Sequence, residues 1–121
     1  MKVIIAGTRG INDYKLVTQA VERSGYKITE VVCGQAVGVD TLGEQWARMN
    51  DVPLKMMPAD WGQFGNKAGP MRNRQMSLYA DAAIIIWDGE SRGTRNMIDN
   101  MVRRGKPYFL QMTASTLEDF I

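Results

Sequence analysis

Four stretches of this 121-residue chain carry side chains suited to gripping a phosphate ester, and they lie far apart along it. The first is Gly7-Thr8-Arg9-Gly10, a hydroxyl and a guanidinium between two glycines. The second is CGQAVGVD, residues 33–40, where Gly34, Gln35, Ala36 and Gly38 lead to Asp40, with Glu44 one turn further on. The third is AGPMRN, residues 68–73, ending in Arg72 and Asn73. The fourth is DGESRGT, residues 88–94, which holds Asp88, Glu90, Ser91, Gly93 and Thr94. Glycine lets backbone approach a ligand closely, and free N–H groups at a helix start favour an anion. Arginine adds bidentate recognition of phosphate. Arg72, Asp88 and Glu90 are the candidates for catalysis; Arg72 and Asp88 are also candidates for binding, with Gly7, Thr8, Arg9, Gly34, Gln35, Ala36, Gly38, Asp40, Glu44, Asn73, Ser91, Gly93 and Thr94.

Several of these residues have a plainer use. Asp40 reads equally as an acceptor for ribose hydroxyls and as a helix-cap carboxylate. Glu44 shares its helix face, as a second acid or as a solvated surface residue. Arg72 and Asn73 are expected to face the site and Arg74 solvent; a surface ion pair is the alternative for either arginine. Trp61 and Phe64 stack on a base or pack as a lid. Cys33 reads as a small buried hydrophobe at a strand end.

The composition narrows the chemistry. No G-x-G-x-x-G fingerprint and no P-loop is present, so neither a nicotinamide nor an ATP-hydrolysing site is expected. There is no histidine, which removes the usual general base at neutral pH and the usual zinc ligand. No metal and no cofactor are therefore expected. The single cysteine excludes an intramolecular disulfide and points to a reducing compartment. A net charge of +2 is too small to argue for nucleic acid by bulk electrostatics. No apolar run approaches the roughly 20 residues of a membrane span, and residues 1–3 lead straight into a strand-like run without a signal peptide. A cytoplasmic protein of one domain is the expectation.

The elements that must position these stretches are legible from hydrophobic pattern. Apolar, β-branched runs at 3–6, 31–33, 53–57, 84–87 and 108–110 read as buried strands. Helices are expected over about 13–24, 39–50, 71–79 and 93–104, with a last short one over 115–120. Residues 58–70 read as one long irregular segment, and loops of that length are often functional. Strands alternating with helices, each strand almost continuously apolar, imply an α/β fold with a parallel sheet covered on both faces. The expected architecture is a three-layer, Rossmann-like open sheet of about five strands in the order 3-2-1-4-5. Ligands of such sheets bind beyond the carboxyl ends of the strands, where the order reverses. That point lies between the first and fourth strands, and the glycine-bearing loops after strands one, two and four leave from that edge.

GTRG, CGQAVGVD, AGPMRN and WDGESRGTRNMI followed by RRGKPY, in this order and spacing, resemble the SLOG superfamily over about residues 3–110. This Rossmann-like group includes DNA-processing protein A and the LOG phosphoribohydrolases, and the chain is most similar to its small YspA/YpsA-related branch. The resemblance implies binding of a nucleotide or nucleotide derivative at the loops named above. LOG enzymes cleave the N-glycosidic bond of a nucleoside monophosphate, using an arginine on a helix and a glutamate in a G-G-x-G-T-x-x-E motif. Arg72 matches the arginine's general location, and residues 91–94 replace the glycine-rich part of the motif. The glutamate position holds Met97, so Asp88 or Glu90 would have to act in its place.

Three functions are therefore open: a binding module that senses a nucleotide-like small molecule, a hydrolase of nucleoside monophosphates, and, third, a binder of single-stranded nucleic acid. The last would use a basic rim of Arg9, Arg72, Arg74, Arg92 and Arg95. LOG proteins are commonly dimers, which implies a homo-oligomer. Some of Met56, Met57, Met71, Met76, Met97 and Met101 would then lie at an interface, core filling being the simpler use for most.

Overall fold

The structure, a computed structural model, describes residues 1–113. The short helix expected over 115–120 lies outside the described residues. Five strands, β1 (Lys2–Gly7), β2 (Glu30–Cys33), β3 (Leu54–Met56), β4 (Ala82–Trp87) and β5 (Tyr108–Met112), form one parallel sheet in the order β3-β2-β1-β4-β5. This is the expected order, and it follows from strand chemistry. Val3, Ile4 and Ile5 of β1 and Ile84, Ile85 and Ile86 of β4 are completely buried, so these two strands take the centre. They pair from Val3 opposite Ala82 to Gly7 opposite Ile86.

Alternation along the strands sorts the core into two layers. Val3, Ile5, Ile84 and Ile86 pack with Val17 and Ala20 of α1 (Tyr14–Ser24) and with Val39, Leu42 and Ala47 of α2 (Val39–Met49). Ile4, Ala6, Ala83 and Ile85 point to the other face. There they meet Met76 of α4 (Ala68–Tyr79) and Met97, Ile98 and Met101 of α5 (Arg92–Arg103). Met56 and Met57, partly buried, pack against these layers, so three of the six methionines weighed above fill the core, two lean on it and Met71 is exposed.

The segment expected to be irregular is helical over most of its length. Asp60 accepts a hydrogen bond from the Gln63 N–H and starts a short helix, α3 (Trp61–Phe64). A 3-10 turn (Gly65–Lys67) follows, and α4 begins at Ala68 rather than Met71. Pro70 is compatible with this earlier start. It sits in the first turn of α4, where a helix needs no N–H from it.

The other end of α4 is held by one lysine. Lys106 Nζ donates to the carbonyls of Ser77, Leu78 and Ala80 at 2.7, 3.0 and 2.7 Å, satisfying the last orphan acceptors of the helix. Lys106→Met keeps the apolar stem and removes the donor. It should lower stability by about 2 kcal/mol in urea unfolding, the scale of hydrogen bonds to a charged group. Among the described residues no helix is long and apolar enough to cross a membrane.

Candidate functional site

The carboxyl ends of β1, β2 and β4 open onto a cleft of about 480 Å³, with a smaller cavity of about 340 Å³ beside it. The first loop is tied to β4. Thr8 N–H donates to the Ile86 carbonyl at 3.0 Å, and Thr8 Oγ1 accepts from Asp88 N–H at 3.1 Å. The second loop rests on the first through Gly38, whose φ is +81°. A Cβ there would sit 2.3 Å from the Arg9 carbonyl oxygen, so only glycine lets the two backbones approach this closely. Gly34 serves the same end for a side chain: a Cβ on it would lie 2.2 Å from the Arg72 guanidinium and 3.0 Å from the Asp40 carboxylate.

Gly7, Thr8, Arg9, Ala36 and Asp40 border the main cleft, and so do Arg72 and Asn73 from α4. Ser91, Gly93 and Thr94 close it from the start of α5. Gly34 and Gln35 border the smaller cavity, which shares Arg9, Ala36, Trp61 and Arg72 with the larger. Stretches separated by up to about eighty residues thus meet on one rim, with a floor of Ala6, Met76 and Met97.

Comparison with known proteins agrees with the resemblance read from the sequence. A family model described as "YAcAr: YspA, cpYpsA-related SLOG family" matches residues 1–64. The chain is also 34% identical over 116 residues to the Gene 61 protein of Mycobacterium phage D29, covering 88% of this chain and 92% of the phage protein. The chain belongs to the YspA, cpYpsA-related SLOG family. No solved structure matches it.

The position at which LOG enzymes carry a glutamate holds a core methionine in this SLOG protein. Met97 is 2% exposed and packs against the sheet. The other carboxylates proposed from sequence lie outside both cavities. Glu44 stands 4.0 Å from Arg48, one turn along α2. Asp88 accepts the N–H groups of Glu90 and Ser91 at 2.8 and 2.9 Å, which fixes the turn that starts α5. Burial acts to raise its pKa, and these N–H donors with Thr8 outweigh it, leaving the carboxyl below its usual range. Glu90 is exposed at the same turn. Cys33 is fully buried, and burial pushes its thiol pKa far up. Trp61 borders both cavities and Phe64 borders neither.

Asp40 is the one carboxylate among the described residues bordering either cavity. It is 5% exposed and accepts the Ala36 N–H at 3.2 Å, with the N–H groups of Gly34 and Gly7 also directed at it. Burial raises its pKa to about 6 against the pull of Arg72 and these donors. Asp40 thus does not act as the helix cap, since the N-cap of α2 is Gly38 with no side-chain cap hydrogen bond; its carboxylate gathers both loops instead. The folded protein holds its proton more tightly than the unfolded chain. The stability Asp40 contributes is therefore present below the unfolded value of 3.8 and is lost as pH rises through about 6. The stability difference between wild type and Asp40→Asn should fall by about 1–3 kcal/mol between pH 4 and pH 7 in urea unfolding, and then stay flat.

Asn96 escaped the sequence reading, and Arg92 entered it only through the basic rim of the nucleic-acid reading; both border the main cleft from the first turns of α5. Their signal was position: each falls within one turn of Gly93-Thr94, at a helix start already singled out.

Proposed function

We propose that this protein binds a nucleotide or nucleotide derivative through its phosphate, as a sensor or binding module. One observation carries the reading. Arg9, Arg72 and Arg92 border a single cleft in which Asp40 is the one carboxylate among the described residues. Burial lowers the pKa of Arg72 against the pull of Asp40, and the nearby charge of Arg9 lowers it further. Two cations that oppose each other in a partly dry site gain from an anion between them. Trp61, 49% exposed, offers a ring on which a base can stack.

Thermal and urea unfolding in the presence of nucleosides, nucleoside monophosphates and nucleoside diphosphates tests the reading. The phosphorylated compounds should stabilise the protein, by about 2.7 kcal/mol at a hundred times the dissociation constant, and the bare nucleosides far less. No stabilisation by any phosphorylated compound at millimolar concentration would overturn it.

A second reading, hydrolysis of an N-glycosidic bond, is favoured by Asp40 itself. A buried carboxyl with a pKa near 6 can take up or release a proton close to neutral pH, as a general acid or base must. In that reading Asp40, not Asp88 or Glu90, activates water against the sugar. Release of free base from nucleoside monophosphates, lost in Asp40→Asn, would establish it. No release at high protein concentration leaves binding without turnover.

A further inference from the structure

A chain of hydrogen bonds joins α4 to α5 beneath the cleft, and its directions are fixed by chemistry. The Gly93 carbonyl can only accept, so the group that meets it at 3.1 Å is Asn73 Nδ2. Asn73 Oδ1 is thereby turned to Arg72, whose Nε donates to it at 3.0 Å. The second N–H of Asn73 donates to Asn96 Oδ1 at 3.0 Å. From the other side Asn100, 3% exposed, donates through Nδ2 to the Asn96 carbonyl at 2.9 Å and to Asn96 Oδ1 at 3.2 Å. Asn96 Oδ1 is thus committed twice, no hydrogen-bond partner among the described residues meets the two N–H bonds of Asn96 Nδ2, and the residue borders the cleft.

We infer that the Asn96 side-chain amide donates directly to the phosphate of the bound nucleotide, with Asn73 and Asn100 as positioning residues. The inference rests on the nucleotide reading above and names the end of the cleft that takes the phosphate. Asn96 shares that end with Arg92, Gly93 and Thr94 of α5, and is linked through Asn73 to Arg72. Trp61 borders both cavities, and none of the α5 residues borders the smaller one. Phosphate belongs where the donors gather and the base belongs beside the indole.

Asn96→Asp separates this role from a structural one. Aspartate has nearly the same shape and still accepts from Asn73 and Asn100, but it presents a negative acceptor where the ligand needs a donor. Calorimetric titration with AMP, GMP, CMP and UMP should show the tightest-binding monophosphate weakened at least about tenfold in Asn96→Asp, with the unfolding temperature unchanged. In the wild-type protein, the NMR signal of the Asn96 side-chain NH2 should shift on addition of that monophosphate, which needs no variant to fold. Equal affinity in Asn96→Asp, or an unmoved NH2 signal in the wild type, would overturn the inference and leave nucleotide binding standing. Failure of the wild type to bind any of the four monophosphates would remove both.

Discussion

Arg72→Met is expected to weaken binding of nucleoside monophosphates by about two orders of magnitude, the scale of a lost charge-assisted pair of hydrogen bonds. The guanidinium borders both cavities and donates inward to the Gly34 carbonyl and to Asn73 Oδ1. Its charge also opposes the burial of Asp40. Methionine fills the stem's volume and leaves both acceptors without this donor, so stability should drop by about 2 kcal/mol at pH 8. The drop should be smaller at pH 5, because Asp40, freed from the cation, then carries a proton and no buried charge remains. Arg72→Lys should restore only part of the binding, since one ammonium cannot reproduce the planar fork that serves Gly34, Asn73 and a ligand together. Calorimetric titration and urea unfolding at the two pH values measure both effects. An affinity equal to wild type would remove Arg72 from the site.

The second large effect is expected at a residue with no side chain. Gly38 has φ +81° and ψ −128°, a region that L-residues enter only with strain of about 1–3 kcal/mol. Its Cβ would also lie 2.3 Å from the Arg9 carbonyl oxygen and 2.6 Å from that of Thr8. Those atoms are backbone and cannot swing aside as a side chain can. Gly38→Ala should therefore cost at least about 3 kcal/mol, a large share of the roughly 5–15 kcal/mol of a whole domain. It should also separate the two loops that meet at the cleft, so binding falls with stability. Gly10→Ala is the matched control. It lies in the first loop, next to Arg9, and a Cβ there meets nothing within 4 Å, so its effect should stay within about 0.5 kcal/mol.

The contrast between these two glycines explains how far the sequence could be read. The sheet was legible because its signals are local and redundant. Three consecutive isoleucines in β4 and the Val-Ile-Ile run of β1 can only be central strands, and handed crossovers then give the order. The convergence of the loops followed from that topology. What the pattern could not show is which atoms each polar group meets. Asp88 has the position of a ribose-binding acid, but the amides of its own turn reach it first. Glu44 shares a helix with Asp40 yet stands beside Arg48, outside both cavities. Nothing in the residue types separates Asp40 from these two; burial does, and burial is a tertiary property. The helical structure of residues 58–70 is hidden from the sequence for a related reason. Glycine and proline mark loops on average, but Gly69 and Pro70 sit in a first helical turn, where proline is compatible with the helix. A Cβ on Gly69 would lie 3.1 Å from the Trp61 ring, a contact no local pattern reports.

The central claim is that the rim formed by the first loop, the second loop and the start of α5 receives a phosphorylated nucleotide. Backbone amide NMR of the wild-type protein during titration with nucleoside monophosphates tests it most directly. The account predicts saturable shifts at Thr8, Arg9, Ala36, Gly93, Thr94 and Asn96, with the signals of Tyr79 and Lys106 at the other end of the sheet unmoved. Shifts confined to that other end, or none anywhere at saturating millimolar ligand, would contradict it.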